Sequence, residues 1–178
     1  VDPFPYRTGS VPGMTSTYVI FDGDNDQWAY RFVRGWHANP RIPFHFVDAH
    51  DLDNMTSRAQ NEDYVKSKLR DRMRQSTAVM VLIGNSTKNL FRFVRWELEL
   101  ALTLGLPIIA VNLNESRTQD GSCPPIIRDG CVVHVPFKLK AIEHALRYWP
   151  SEFHSLPSTE RNAGVRHYSA DQYRSWGL

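Results

Sequence analysis

The chain has 178 residues, a formal net charge of +2 and 42% hydrophobic residues, enough apolar content for one α/β domain with a real core and a short appendage. Lysine and arginine are dispersed, which argues against a nucleic-acid surface. No apolar run approaches the ~18 residues of a membrane-spanning helix, so no membrane partner is expected.

The opening stretch, "VDPFPYRTGSVPGM", lacks the charged-then-apolar order of a secretory signal. Residues 1–16 are expected to form a flexible N-terminal segment. A cytoplasmic, reducing setting is expected, with Cys123 and Cys131 of "CPPIIRDGC" as free thiols.

"STYVIFDGDND" begins as a short strand over Tyr18–Phe21 and breaks at Gly23. In the next segment Ala29, Phe32, Val33 and Trp36 make the i, i+3, i+4, i+7 stripe of a helix, with Asn25 or Asp26 placed to cap it. "PFHFVDAH" is a second strand that runs into a polar stretch. "EDYVKSKLRDRMRQS" has acids in its first turn and bases later, as the helix dipole prefers, with Val65, Leu69 and Met73 as its buried line. "TAVMVLIG" is a buried-type strand with a glycine stop, and the loop "NSTKN" leads into a helix over 89–102. "LPIIAVNLN" and "CVVHVPF" are further strands, separated by a span from 114 to 130 where a helix would otherwise stand. "KLKAIEHALRYW" is a helix with Leu139, Ile142, Leu146 and Trp149 on one side. After Pro150 the pattern fades, with one last helical turn from Ser169; Tyr168, Tyr173 and Trp176 mark 151–178 as an extension that packs on the domain.

Near-continuous apolar strands alternating with helices predict a parallel sheet covered on both faces. The expected fold is α/β, a flavodoxin-like doubly wound parallel five-stranded sheet in the order 2-1-3-4-5. In such a sheet, ligands collect at the carboxyl ends of the strands. Three polar loops reach that edge: "DGDND", "DAHDLDNMTS" and "GNSTKN".

None of these loops fits a common cofactor motif. "DGDND" begins like a calcium loop, but Gln27 stands at its sixth position and Val33 at its twelfth. "GNSTKN" lacks the GK[ST] ending of a phosphate loop. His45 and His50 near Asp48, Asp51 and Asp53 do not make metal spacing, and no metal site is expected. No nucleophile elbow or Cys–His pairing stands out.

One residue demands its own account. In "NLFRFVRWELELAL", Phe93, Val94, Leu98, Ala101 and Gly105 share a helix face, and Glu97 shares that stripe. Glu99 is explained by an Arg95–Glu99 contact on the polar face, an ordinary solvated pair. Glu97 has no local partner of that kind, and a carboxylate among apolar neighbours is costly unless paired or used. The bland alternative is a half-exposed rim position.

The segments "YVIFDGDND", "FVDAHDLD", "TAVMVLIGNSTKN", "FVRWELELA" and "PIIAVNLN" together resemble the TIR-like domains of bacterial defence proteins, most nearly the TIR protein of Thoeris antiphage systems. The resemblance runs from about Thr17 to Asn114 and more loosely onward, which implies a TIR-like domain over 17–150. Its most specific part is "VLIGNSTKNLFRFVRWEL". Many TIR domains read Trp-x-x-x-Glu at this helix entry; Phe93 takes the Trp place and Glu97 the Glu place, so the aromatic ring is kept and the indole N–H is not.

The resemblance implies that Glu97 is the catalytic residue of an enzyme cleaving the nicotinamide–ribose bond of NAD. It further implies a cyclic ADP-ribose-type product sensed by a separate effector protein, with NAD as substrate and no cofactor. Phe21, Asp22, Asp24, Asn25, Asp48, Asn85, Ser86, Thr87 and Phe93 are the expected substrate-binding residues. Phe21, Asp22 and Asp24 are expected on one side of the pocket, with the Phe21 ring available for stacking, and Asn85, Ser86 and Thr87 across from them. The alternative is a non-catalytic interaction or nucleotide-binding module that works by self-association.

Overall fold

The computed structural model describes residues 16–42, 45–47, 61–90, 92–162 and 164–178. The N-terminal segment, up to residue 15, and Asp48 lie outside the described residues. The elements in chain order are β1 (Ser16–Ile20), α1 (Gln27–Ala38), β2 (His45–Val47), α2 (Glu62–Arg74), β3 (Ala78–Ile83), α3 (Phe93–Thr103), β4 (Ile108–Asn112), β5 (Val132–Pro136), α4 (Leu139–Ser155), β6 (Arg166–His167) and α5 (Ala170–Ser175).

The sheet runs β2-β1-β3-β4-β5-β6, and every pairing is parallel. It holds six strands where the sequence predicts five. The added strand, β6, is two residues long and sets Arg166 and His167 beside Val133 and His134 at the edge. So short a piece is stabilised by tertiary pairing and has no periodicity of its own to read.

Alternation along each strand divides the core into two layers. Val19, Phe21, Met80, Leu82, Ile109, Val111, Val133 and Val135 face α1, α4 and α5. Tyr18, Ile20, Val79, Val81, Ile83, Ile108, Ala110 and Val132 face α2 and α3. β3, β4 and β5 are buried on both faces, which is why they read as unbroken apolar runs.

Three local expectations change in the folded chain. Phe32 is 58% exposed, and Tyr30 takes its place among the buried residues of α1, beside Ala29 and Val33. The last major helix does not stop before Pro150: α4 continues to Ser155. Proline costs that helix one backbone bond but keeps a helical φ, and the burial of Trp149 and Phe153 on either side holds the turn in place. The span 114–130 holds one short 3-10 turn, Pro125–Ile127, which covers the α3 side of the sheet.

The cysteines are free and buried. Among the described residues, no helix is long and apolar enough to cross a membrane.

Candidate active site

The strand order reverses direction between β1 and β3, and the loops that leave their carboxyl ends diverge there. The β1–α1 loop spans 21–26 and the β3–α3 loop spans 84–92. Asp22 ties them together. Its Oδ1 accepts the Asp24 N–H at 2.9 Å and the Asn25 N–H at 3.3 Å, an Asx turn that closes the loop on itself. Its Oδ2 accepts from the Asn25 side-chain amide at 2.8 Å and from the Ser86 hydroxyl at 2.6 Å.

Burial alone would raise the Asp22 carboxyl, but the hydrogen bonds from Asn25, Ser86 and the two amides outweigh it and hold it below the usual range. Asp26 caps α1 without a side-chain bond into the helix. Its carboxylate instead accepts the Thr87 hydroxyl at 3.3 Å, while the Thr87 oxygen accepts the Gly84 N–H at 2.8 Å. Burial pushes the Asp26 carboxyl upwards. Gly84 makes room at this crossing: a Cβ there would press on the buried Asp26 carboxylate, which would have to shift.

On the α2–α3 side of this tie lies a cavity of about 340 Å³. The β1–α1 loop contributes Phe21, Asp22, Gly23 and Asp24; α2 contributes Val65 and Leu69; the α3 entry contributes Leu90, Arg92, Phe93, Val94 and Glu97. Glu97 is only 3% exposed. Its Oε1 accepts the hydroxyl of the fully buried Tyr18 at 2.6 Å. Burial drives the Glu97 carboxyl up to about 7, with the Tyr18 hydrogen bond pulling the other way. Glu97 is thus a buried residue and not a rim position. Glu99, by contrast, is exposed and pairs with Arg95 at 2.9 Å.

The predicted site residues divide between two places. Phe21, Asp22, Asp24, Phe93 and Glu97 border one cavity. Asn25, Asn85 and Ser86 line a separate depression of about 500 Å³ with Asp26, Trp28 and Asn114. Thr87 is buried under Gly84 and does not face the Glu97 cavity. The expectation that Asn85, Ser86 and Thr87 stand across the same pocket is therefore corrected. The Ser86–Asp22 hydrogen bond joins the two loops, with Asp22 lining one cavity and Ser86 the other.

The aromatic roles also differ from expectation. Phe21 is 5% exposed and stacked on Tyr30 with ring centroids 4.3 Å apart, so one of its faces is taken. The ring that stays accessible is Phe93, 39% exposed, with the Arg92 guanidinium 5.7 Å from its centroid. Phe93 lies at the first residue of α3, where the helix meets the cavity, which lifts it out of the core stripe.

Tyr18 was not legible as a site residue. In sequence it is one aromatic in an apolar strand, and 79 positions separate it from Glu97. Arg92 also lines the cavity, while its guanidinium reaches Glu62 at 2.7 Å.

Around one opening stand the buried Glu97 carboxyl, an accessible aromatic ring and a guanidinium, with the buried Asp22 carboxyl tied up by its own loop and Ser86. A buried carboxylate stabilises positive charge that develops beside it, more strongly than an exposed one.

No curated protein matches the chain. Eighteen chains of solved structures match it. One is the Clostridium botulinum CMP N-glycosidase, BcmB, with a TM-score of 0.48 and 11% sequence identity over 74% of this chain and 96% of that one; nothing about the site follows from it. The family model described as "Thoeris protein ThsB, TIR-like domain" matches residues 18–118, a stretch that begins at Tyr18, takes in both tied loops and Glu97, and ends past β4. The chain belongs to the ThsB TIR-like domain family.

Proposed function

We propose that the chain is an enzyme that cleaves the nicotinamide–ribose bond of NAD in the cytoplasm and releases a cyclic ADP-ribose-type nucleotide, which a separate effector protein senses in antiphage defence. The observation that carries this reading is Glu97, buried on the wall of a cavity at the carboxyl edge of the sheet.

The chemistry needs little more than that carboxylate. Nicotinamide is cationic before departure and leaves neutral, so acid assistance is dispensable. The ribosyl carbon becomes oxocarbenium-like as the bond breaks, and a fixed negative charge beside it stabilises that charge. Phe93 supplies an accessible ring against which the nicotinamide ring can stack. Arg92, which lines the same cavity and pairs with Glu62, is the cation proposed to meet the diphosphate once released from Glu62. Capture by water yields ADP-ribose; exclusion of water lets an adenine nitrogen attack and close the ring.

The test is incubation of purified protein with NAD at high protein concentration, with chromatography of the products. Glu97→Gln is expected to lower turnover by about 10² to 10³. Equal turnover in wild type and Glu97→Gln removes Glu97 from the reaction.

A second reading, a non-catalytic module acting by self-association, draws on the exposed aromatics of α1. Trp28 is 46% and Phe32 58% exposed, one turn apart. This reading requires NAD to stay intact while the protein assembles, with Glu97→Gln assembling equally well.

A further inference from the structure

Behind the Glu97 carboxyl stands Tyr18 of β1. We propose that Tyr18 is a positioning residue of the Glu97 site: its hydroxyl holds Oε1 and favours the charged carboxylate, so that the remaining oxygen carries negative charge towards the cavity. The catalytic consequence rests on the proposed N-glycosidic chemistry; the coupling between the two side chains does not.

Tyr18 stands mid-strand in β1, paired with Val47 on one side and Val79 on the other, so its direction is set by the sheet. It is fully buried, and its oxygen lies 2.6 Å from Glu97 Oε1, the range of a hydroxyl donating to a charged acceptor. A phenylalanine would fill nearly the same volume. The hydroxyl therefore adds nothing to packing, and buried without a partner it would be costly. Burial, and then the neighbouring Glu97 charge, push the Tyr18 phenol far above its ordinary range, so the proton stays on Tyr18 and it acts as donor.

The other charged groups around the cavity are committed elsewhere or sit at its mouth. On the β1–α1 loop, Asp22 is held by Asn25, Ser86 and two amides, and Asp24 is exposed. From α2, Val65 and Leu69 face the cavity, and Arg72 acts electrostatically on Tyr18. At the entry to α3, Arg92 reaches Glu62. Among the described residues, Tyr18 alone hydrogen-bonds the Glu97 side chain. Without that hydroxyl, burial acts on Glu97 unopposed, and the carboxyl spends most of its time neutral at neutral pH.

The experiment reads the Glu97 carboxyl directly. In protein carrying ¹³C-labelled glutamate, the Glu97 side-chain carbonyl signal is assigned by its loss in Glu97→Gln and followed against pH. In Tyr18→Phe its midpoint is expected to rise by about one to two units, the shift a charge-assisted hydrogen bond supports. A midpoint within about 0.3 unit of wild type, in a variant with native amide spectra, overturns the proposal. Should Tyr18→Phe fail to fold, fluorotyrosine incorporation replaces it. The more acidic phenol donates a stronger bond, and the midpoint is expected to fall; no movement overturns the proposal equally.

Turnover then separates coupling from catalysis. With NAD, Tyr18→Phe is expected to lose about tenfold in kcat at neutral pH, with KM little changed, and to recover as pH rises past the shifted midpoint. A loss that persists at alkaline pH assigns Tyr18 to packing and overturns the positioning role. A shifted midpoint in a protein that leaves NAD intact supports the coupling and sinks the NAD reading alone.

Discussion

Glu97→Gln tests the burial of the carboxyl through stability, without any assay of turnover. The folded Glu97 carboxyl titrates at about 7, against an ordinary glutamate value of 4.5. Its folded value is raised, so its contribution to stability is fully present below pH 4.5, where both states are protonated, and is lost as pH rises through about 7. The raised interval of two to three units corresponds to a loss of about 3 kcal/mol. Glutamine keeps the shape of the side chain and an oxygen that accepts from Tyr18, but has no charge to desolvate. The variant is therefore expected to match wild type at about pH 4 and to exceed it by up to about 3 kcal/mol at about pH 8. At this chain length that is roughly 6–12 °C in Tm. Urea unfolding of both proteins across this range checks it, because the other titrating groups cancel in the subtraction. A stability difference that stays flat with pH contradicts the burial of this carboxyl, since it requires Glu97 to titrate as a solvated one.

Other outcomes follow from the same structure. Glu99→Gln breaks only the exposed Arg95 pair and is expected to change stability by less than about 0.5 kcal/mol, with turnover unchanged, by urea titration and NAD assay. Gly84→Ala drives a Cβ against Asp26 and is expected to cost about 1–3 kcal/mol and to loosen the two loops, seen as faster amide exchange over 22–26 and 84–89. Cys123 and Cys131 are buried, and burial lifts the Cys123 thiol to about 11, so a thiol reagent is expected to label both in denaturant and neither readily in the native state.

The covered parallel sheet, and the edge to which its polar loops run, were legible in the residues alone. β3, β4 and β5 are apolar on both faces, so their residues carry the whole signal of a covered parallel sheet without reference to neighbours. Glu97 was legible for a related reason. A carboxyl on an apolar helix stripe contradicts local pattern, and the Arg95–Glu99 pair beside it shows what an ordinary surface acid looks like.

Tertiary structure decided the rest. Tyr18 becomes a partner of Glu97 only when β1 and α3 pack, and a hydroxyl within an apolar strand gives no sign of its acceptor. Phe21 was the ring expected to stack on a ligand; strand alternation turned it onto Tyr30, and the helix start left Phe93 open. Ser86 and Asn25 read as ligand contacts because they are small and polar at a sheet edge. In the fold their hydrogen-bonding capacity goes to Asp22, and polarity in sequence does not reveal whether a group serves a ligand or its own loop. Pro150 read as a stop because proline lacks an N–H, a local penalty; the burial of Trp149 and Phe153 is a non-local gain, and it carries α4 to Ser155.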